Sequence, residues 1–418
     1  MSSALPRRLP RKSILKSQRP LISPRTLALS LSITDRFPLE LFRIIIDWLY
    51  TSNDRHALNA CALVCRAWLP LCRVHYTPRM TVSPANASEF LDITSSPHLT
   101  IASTVTQLTL QKQETMVDHF FIVNSSSPPS PCTQFSLGHL LSSAQPLASI
   151  TKLTLQKGYG ETREIAPHLH AFAQLQDLEL RSFEFTSFSD LTAVIASQAQ
   201  LRRLSLTDIA WRDWGLPSAL ADRTHRLPPG LRHLEVFMEH SAGLFQWMLA
   251  EFRAQPLEFV QLGGIMEVED AIAVSRFLRG LGSVLKHLRL YSPSRISQVN
   301  LVHNTGLESL IISHLHMHDS KDPGNSHHHN RTDEVCTILS QLCSPSLCSI
   351  SLQLLLTDPE SFSTIDWQDV ARILSLPRYR NLKSFEFRIP GLKRSMVGMI
   401  LKNIPDAAEK GILSVVKG

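Results

Sequence analysis

A short hydrophobic pattern that recurs along most of the chain places the strongest limit on its fold. The pattern, apolar-x-x-apolar-x-apolar, occurs ten times in 418 residues, with 22 to 45 residues from one copy to the next. The copies begin at Val105, Ile150, Leu175, Leu201, Leu231, Leu257, Leu285, Leu307, Leu347 and Leu382. Repetition at such a period is the sequence signature of an architecture built from stacked units.

Each copy ends in an alternation that predicts a short strand with one buried and one exposed face. Helical sequence between the copies can cover the buried face, and the predicted helices are 188–197, 244–252, 268–281 and 366–375. Strand followed by helix at this period resembles the leucine-rich-repeat class of proteins. The expected fold class is therefore α/β, an irregular leucine-rich-repeat solenoid with a parallel concave sheet and outer helices.

The repeats depart from the usual leucine-rich pattern in two ways. An Asn usually stands eight residues after the first repeat leucine, and it is absent here. The matching positions hold Phe183, Ile209, Glu239 and Pro293. We therefore expect irregular turns. The long spacings after Val105, Leu307 and Leu347 predict loop insertions.

The segment 37–73, which precedes the repeats, has an unusual excess of apolar residues. Pro38 to Tyr50 predicts a helix of about three turns, because Pro is favoured at the first helical position and no Gly interrupts it. Its charges, Glu40, Arg43 and Asp47, fall on one narrow stripe, so the rest of the helix is apolar. Two further short helices are predicted at 55–59 and 60–69. So few residues cannot bury this much apolar surface among themselves, so a partner surface is expected.

The order of residues in this segment resembles an F-box of the variant common in fungal F-box proteins. The matching residues are Phe37, Pro38, Glu40, Leu41, Ile45, Leu49, Leu58, Cys61, Leu63, Val64, Cys65, Arg66 and Trp68. Phe37 stands where the family usually has Leu. The resemblance implies three short helices that dock on a Skp-type adaptor and, through it, join a cullin-RING ubiquitin ligase.

The adaptor-binding residues implied by this resemblance are Pro38, Leu41, Ile45, Leu49, Leu58, Val64 and Trp68. Two other interpretations stay open. The segment could be a buried helical part of one larger fold, or it could only cap the solenoid.

The predicted domains are a disordered basic tail at 1–34, an F-box at 35–76, a connector at 77–100 and the repeat solenoid at 101–418. The tail carries seven Arg and Lys residues and no acid, so it accounts for +7 of a net charge of +6 and leaves −1 for the remainder. A nearly neutral body gives no reason to expect a nucleic-acid partner. Three interpretations of the tail stay open. It is a plain solvated segment, a nuclear localisation signal around Arg7 to Lys12, or a mitochondrial presequence. Its prolines argue against the presequence.

No membrane span is expected, because no run of about 18 apolar residues exists. Seven cysteines, an odd number without C-x-x-C spacing, favour a reduced intracellular protein, cytoplasmic or nuclear or both.

Residues with the spacing of a catalytic or cofactor site are not evident. The sequence lacks G-x-S-x-G, H-E-x-x-H and the complete phosphate- and dinucleotide-binding glycine motifs. Six histidines lie between His314 and His329, but without carboxylate or cysteine ligands at suitable spacing they predict a solvated insertion rather than a metal site. Ser125 to Pro131 predicts a disordered loop that could be phosphorylated. We therefore expect neither enzymatic activity nor a cofactor.

Candidate target-binding residues come from the exposed positions of the central repeats. The third, fifth and seventh positions of each copy point away from the core. The candidates among them are Arg203, His233, Phe237, Phe259, His287, Arg289 and Tyr291. Aromatic and Arg side chains together dominate protein-binding hot spots. Alternatively, helices or the C-terminal segment cover these residues.

The sequence therefore favours a substrate-recognition subunit of a Skp-cullin-F-box ubiquitin ligase, which binds the adaptor through the F-box and an unknown target protein through the repeats. The alternatives are an adaptor-bound scaffold that delivers no substrate, and a repeat-based binding protein whose helical segment is only a cap.

Overall fold

The structure, a computed structural model, describes most of the chain outside the N-terminal tail and several segments between strands. The described residues are 38–52, 54–64, 68–76, 79–96, 102–111, 136–159, 165–212, 225–251, 256–265, 267–291, 298–317, 332–356, 365–391 and 394–417. The predicted tail, the loop Ser125 to Pro131 and the triplet His327 to His329 lie outside them. The chain divides into two compact units, with the division after Cys72.

The N-terminal unit is helical. Helix α1 is Leu39–Thr51, α2 is Arg55–Val64, and α3 begins at Trp68 and continues to Tyr76 in the second unit. The second helix starts where the Asp54 carboxylate accepts a hydrogen bond from the Ala57 amide at 2.9 Å, a typical N-terminal cap. The sequence predicted a break between residues 59 and 60. That prediction is wrong, because neither Gly nor Pro interrupts the helix there.

Within the described residues of the second unit, one sheet has twelve parallel strands arranged in sequence order. The strands are β1 Arg79–Val82, β2 Gln107–Gln111, β3 Lys152–Tyr159, β4 Asp177–Phe185, β5 Arg203–Trp211, β6 His233–Phe237, β7 Phe259–Gly263, β8 His287–Tyr291, β9 Ser309–Met317, β10 Ser349–Leu356, β11 Ser384–Ile389 and β12 Leu413–Lys417. Parallel neighbours in sequence order, with helices between them, confirm the predicted leucine-rich-repeat solenoid.

Helices follow most strands on the outer side of the sheet. They are α4 Ala87–Ser95, α5 Leu137–Ser143, α6 Ile165–Leu169, α7 Phe188–Ala196, α8 Ala242–Glu251, α9 Val268–Leu281, α10 Thr332–Gln341, α11 Trp367–Leu374, α12 Arg394–Asn403 and α13 Pro405–Glu409. Short 3-10 turns occur at Gly282–Val284 and Pro377–Tyr379. Each of the four helices predicted between repeats is confirmed to within two residues of its bounds.

The apolar positions of the repeat form the core. In the central copy, Leu201, Leu204 and Leu206 are each fully buried, and the corresponding residues of all ten copies are at most 5% exposed. Successive copies stack in register, as Leu204 does on Leu178 and Leu234. Each turn therefore buries its leucines against the turns before and after it.

A shared backbone carbonyl marks the entry of nearly every strand. The Gln176 carbonyl accepts hydrogen bonds from the amides of both Arg202 and Arg203, at 2.8 and 2.9 Å. The same arrangement recurs from Thr106 to Cys348, always from the second residue of one copy to the next copy. This ladder fixes the register before the strand proper begins, without an Asn side chain.

Polar side chains also satisfy the helix ends of the preceding repeat. The Gln198 amide donates to the Leu169 carbonyl at the end of α6, at 2.6 Å, and the Asn304 amide donates to Leu278 in α9 at 2.7 Å. The carboxylate of buried Asp270 accepts from the first amide of α8, at Ala242, at 2.8 Å. Because a helix end leaves backbone groups unpaired, these contacts join adjacent repeats as well as complete each helix.

The turns that lack the expected Asn use left-handed residues instead. Ser182, Asp208 and His314 have φ of 54°, 54° and 59° inside their strands. The pairing passes over Ser182 and Asp208 without a change of register, whereas the register shifts by one residue beside His314. In each case the next residue is apolar and buried, as Phe183 and Ile209 are. The expected irregularity is therefore a left-handed residue that turns the following apolar side chain into the core.

The sheet extends beyond the ten predicted strands. Strand β1 and helix α4 lie within residues 77–100, which the sequence assigned to a connector, and β12 follows the last predicted copy. Neither RMTV in β1 nor LSVVK in β12 belongs to a copy of the six-residue pattern, so the repeat search passed over both. Their pairing depends on the neighbouring strand rather than on a full repeat of their own.

One glycine marks the closest approach between successive turns. A Cβ atom at Gly306 would lie 1.9 Å from the Ser283 carbonyl oxygen, so the backbone would have to move. We expect Gly306→Ala to lower the free energy of unfolding by about 1–3 kcal/mol, the usual cost of overpacking. Gly398→Ala in α12 is the control, since nothing lies within 4 Å of the added atom. It should stabilise the helix by about 0.5–1 kcal/mol. Urea denaturation measures both, and equal stability of the two variants would contradict the close approach.

Candidate protein-binding surfaces

An apolar stripe on α1 groups four exposed hydrophobic side chains of the N-terminal unit. It consists of Leu41, Ile44, Ile45 and Trp48, which are 44%, 61%, 46% and 65% exposed. The spacing i, i+3, i+4, i+7 puts all four on one side of the helix. Large apolar side chains grouped in this way are characteristic of a protein-binding surface.

The other residues predicted to bind an adaptor differ in their exposure. Pro38 and Val64 are exposed, and Leu49 is half-buried. Leu58 is only 2% exposed, so its side chain is buried in the free chain, and its contact with an adaptor stays a prediction. The F-box resemblance located Leu58 by sequence order alone, which does not distinguish interior positions from surface positions.

Trp68 has a mixed environment. Its ring centroid lies 4.7 Å from that of Phe42, so it packs on α1, yet the side chain is only half-buried. Its Nε1 atom is buried and has no hydrogen-bond partner among the described residues. Trp68 therefore contributes more to the packing of the unit than to an open surface.

Four exposed apolar residues of this unit were missed by the sequence-based set. They are Ile44, Trp48, Tyr50 and Leu63, of which Leu63 is 87% exposed. Helical spacing from Leu41 would have found Ile44 and Trp48. The set followed the motif residues, and the motif does not include these two.

The concave face of the sheet carries the seven predicted target-binding residues. All seven lie on the adjacent strands β5 to β8, so the structure brings them together. In the first exposed row the registered neighbours are Arg203, His233, Phe259 and His287. Neighbouring strands lie about 4.8 Å apart, and side chains two residues apart along one strand lie about 6.6 Å apart. The exposed side chains therefore form a regular grid.

Glu235, in the middle row of this grid, is the centre of a charged group. It accepts hydrogen bonds from Arg203, from Ser205 Oγ at 3.2 Å, and from His233 Nε2 at 2.9 Å. An ionised carboxylate can only accept, so Nε2 carries the proton in the last contact. The hydrogen bond from His233, together with Arg203, outweighs partial burial and lowers the pKa of Glu235 to about 2. Two of the predicted residues, Arg203 and His233, therefore both donate hydrogen bonds to the Glu235 carboxylate.

A similar group lies two strands earlier. Burial alone would raise the pKa of Glu179, but hydrogen bonds from Arg181 and Thr154 and the charge of Lys152 lower it below the usual value. Thr154 Oγ1 donates at 3.0 Å, and Lys152 Nζ lies 3.5 Å away. The first part of the concave face is therefore a network of paired charges.

Aromatic contacts replace ion pairs in the next strands. The rings of His233 and Phe259 stack with centroids 3.8 Å apart and an interplanar angle of 6°. Phe259 also approaches His287, with centroids 6.4 Å apart. These three residues, the stacked row, run across β6, β7 and β8.

A second group, the aromatic cluster, consists of Phe237, Tyr291 and His314. Tyr291 meets Phe237 edge to face at 5.5 Å, and meets His314 in the same manner at 4.6 Å. Phe237 and Tyr291 lie on strands that are not neighbours, with Gly263 of β7 between them. A Cβ atom at Gly263 would lie 2.6 Å from the Phe237 ring, so the missing side chain allows the two rings to meet.

Arg289 lies between the stacked row and the aromatic cluster. Its Cζ atom is 5.6 Å from the centre of the Tyr291 ring, within the range of a cation–π interaction. Its registered neighbours are Gln261 and Ile311, neither of which is acidic. Its Nε atom is buried without a hydrogen-bond partner among the residues that the structure describes.

A further cleft lies on the helical side of the repeats. An open cleft of about 600 Å³ borders α6 and α7, and its lining consists of Ala166, Pro167, His170, Ala193, Ala196, Ser197, His225 and Arg226. This lining contains neither a carboxylate nor a cysteine. Across the described ranges, no three His, Cys, Asp or Glu side chains are grouped so that they could hold a metal ion.

None of the helices within the described ranges is long and apolar enough to span a bilayer.

Comparisons with known proteins give neither a family nor a curated relative. No protein-family model matches the sequence, and no curated protein matches it. Among solved structures, internalin InlF from Listeria monocytogenes is 14% identical, with 80% of this chain and 84% of the internalin covered and a TM-score of 0.31. The chain is 12% identical to the TLR13–ssRNA13 complex, with 76% and 39% covered and a TM-score of 0.40. It is also 12% identical to the yeast Rad7–Elc1 complex, with 90% and 88% covered and a TM-score of 0.35.

Similarity at these identities and TM-scores carries no argument about function. The assignment to the leucine-rich-repeat fold rests on the sheet and its register.

The Glu235 group predicts a dependence of stability on pH. The pKa of Glu235 in the folded state, about 2, lies below its usual value of 4.5. The ionised carboxylate therefore stabilises the fold above about pH 4.5, and this contribution is lost as the pH falls toward 2. We expect Glu235→Gln to lower the free energy of unfolding at pH 7, with a smaller difference from the wild type at pH 3.

Urea denaturation at pH 7, 4 and 3 measures this difference. Glu184→Gln is the control, because Glu184 pairs with Arg212 at 2.8 Å in a more solvent-exposed position than Glu235 and should contribute less. A difference for Glu235→Gln that stays constant from pH 7 to pH 3 would show that the carboxylate is not held in its charged form.

Proposed function

We propose that the chain is the substrate-recognition subunit of a Skp-cullin-F-box ubiquitin ligase. In this proposal residues 35–76 form an F-box that binds a Skp-type adaptor, and the repeats bind a target protein. The cullin is reached only through the adaptor.

The apolar stripe of α1 is the observation that carries this proposal. It lies within the segment whose residue order resembles an F-box, and Ile44 and Trp48 are each more than 60% exposed. Burying a fully exposed large apolar side chain contributes about 1.5–3 kcal/mol, and these four side chains, 44–65% exposed, would each gain part of that amount in an interface. Their grouping on one helical face therefore favours a hydrophobic partner surface.

The concave face suits a second protein for a different reason. Its rings and Arg289 are half-buried on a rigid sheet, so little side-chain entropy remains to be lost on binding. Aromatic and Arg residues held in this way are the usual anchors of an interface. We propose that Phe237, Phe259, His287, Arg289 and Tyr291 contact the target directly, and that Arg203 and His233 act mainly through Glu235.

The proposed mechanism is tethering rather than catalysis. A target held on the repeats and an adaptor held on the helical unit belong to one assembly. The target lysines are then at a high effective concentration near the ubiquitin-charged enzyme. The chain itself supplies binding and orientation, and no step of the transfer requires one of its side chains.

Adaptor binding can be tested with two matched isoleucines. Ile45 in the stripe is 46% exposed and Ile272 on α9 is 45% exposed, so Asp at either position costs a similar amount in the free chain. We expect the wild type and Ile272→Asp to co-elute with a co-expressed Skp-type adaptor in size-exclusion chromatography, and Ile45→Asp to elute alone. An introduced carboxylate would remain unpaired in an apolar interface, which predicts at least a hundredfold loss of affinity.

Two results would contradict the proposal. Co-elution of Ile45→Asp with the adaptor would mean that the stripe is not the binding surface. Failure of the wild type to bind, with a stable monomer in its place, would favour the alternative in which the helical unit only caps a repeat-based binding protein.

Delivery of a bound target to the ubiquitin ligase requires a separate test. Partners that bind the wild type but not Tyr291→Ala are candidate targets, because this substitution removes the ring at the centre of the aromatic cluster. We expect the cellular level of such a partner to rise when Ile45→Asp replaces the wild type, and not when Ile272→Asp does. An unchanged level would favour an adaptor-bound scaffold that delivers no substrate.

A further inference from the structure

Acidic residues of the concave face are paired with arginines, and Arg289 differs from those arginines. Glu179, Glu235 and Glu386 are each paired with an arginine of the same face. Arg289, by contrast, has no acid among its registered neighbours, and its buried Nε atom has no hydrogen-bond partner within the described ranges. Its guanidinium group has five N–H donors in a planar fork.

This arrangement is costly in the free protein. The side chain is half-buried, and the Nε atom is removed from water. A charged group loses hydration on burial, and it regains that free energy only when an opposite charge and hydrogen bonds replace the water. The interaction with the Tyr291 ring returns only part of it. An anion bound from outside would supply the remainder.

The surroundings of Arg289 define what accompanies that anion. On its own strand, His287 lies two residues before it and Tyr291 two residues after it, so both point to the same face. His287 belongs to the stacked row and Tyr291 to the aromatic cluster. The guanidinium group is thus flanked by apolar ring surface on both sides, at about 6.6 Å along the strand.

An extended peptide has the same spacing. Its side chains at i, i+2 and i+4 point to one side at intervals of about 6.6 Å. We propose that the concave face binds an extended segment of the target with the pattern apolar-x-acidic-x-apolar, in which the acidic group pairs with Arg289 and the apolar side chains lie on the two ring groups. The inference rests on the proposed target-binding role of the repeats and specifies its ligand. The acidic group is the carboxylate of Asp or Glu, because Arg289 is a single cation and the other arginines named on this face are already paired with glutamates, whereas a phosphate is usually bound by a cluster of arginines.

Fluorescence polarisation with labelled peptide pools tests this pairing. Each pool has the form x-Φ-x-Z-x-Φ-x, in which Φ is an equal mixture of Leu, Phe and Tyr, and Z is Glu, phosphoserine, Gln or Lys. For the purified full chain we expect the Glu pool to bind at least tenfold more tightly than the Gln and Lys pools. Tighter binding of the phosphoserine pool than of the Glu pool would contradict the assignment of a carboxylate. A Glu pool with Z moved by one position should lose this advantage, because its acid then points to the opposite side.

Variants assign the preference to one residue. Arg289→Gln should abolish the tenfold difference, and Arg289→Lys should keep part of it, since an ammonium group retains the charge but not the fork. Arg388→Gln is the matched control, because Arg388 is a concave arginine already paired with Glu386. It should bind every pool as the wild type does.

The thermal midpoint of the free variants gives a second readout. Removing an unpaired half-buried charge should leave the midpoint of Arg289→Gln equal to or above that of the wild type. A midpoint lower than that of Arg388→Gln would mean that the guanidinium group stabilises the fold, which overturns the inference.

The remaining outcomes distinguish a failure of the acidic-peptide pattern from a failure of the proposed target-binding role of the repeats. If the wild type binds the Glu, phosphoserine, Gln and Lys pools equally, the face binds peptides without reading charge, and only this inference fails. If no pool binds, both the inference and the target-binding role of the concave face fail. Adaptor binding through Ile45 is measured separately and is unaffected by either result.

Discussion

The parallel pairing of each strand with the next is the constraint on which the rest of the molecule depends. A single repeat has three buried apolar side chains and cannot cover them alone, so it needs a neighbour on each side. The shared carbonyl at nearly every strand entry, as at Gln176, sets the register of this stacking. Once the register is fixed inside, the positions of the exposed side chains are fixed as well. The positions of the side chains in the concave grid therefore follow from the packing of the core.

The grid also explains why residues distant in sequence act together. Arg203 and Glu235 are 32 residues apart, yet they lie on adjacent strands and share a hydrogen bond. Where the grid holds acids and bases side by side, their charges neutralise one another. Where it holds rings, they stack, and the missing side chain of Gly263 lets two rings meet over a distance of two strands. Surface character therefore changes along the sheet, while the core beneath it stays the same.

Much of the fold could be predicted from the sequence, because the repeat copies encode burial directly. Every first, fourth and sixth residue of the ten copies is buried as expected. Strands β1 and β12 were missed because the six-residue pattern does not cover them, and their pairing is decided by a neighbouring strand. The left-handed residues Ser182 and Asp208 were not foreseen either. Only the absence of Asn indicated that the turn differed, and that absence did not say how.

The sequence predicted which residues lie on the candidate surfaces, but not which of these residues pair with one another. The position rule identified the seven concave residues, yet it could not show that Arg203 and His233 share Glu235 while Arg289 lacks an acid. Pairing depends on register across strands, which requires knowing which copies are neighbours. In the helical unit, the motif residues included buried Leu58 and omitted exposed Trp48, because a motif records residue order and not orientation.

The arrangement of the strands in sequence order has a consequence for how this chain can vary. Spacing between copies ranges from 22 to 45 residues, yet the strands on either side of a long spacing pair directly. The length of chain between two strands is therefore independent of the pairing of the strands themselves. Inserting or deleting residues there leaves the concave grid unchanged, and exchanging an exposed grid residue leaves the lengths unchanged. The segments between strands and the exposed residues of the grid can be altered separately. A new binding specificity can therefore arise on this sheet without a change in the packing of the solenoid.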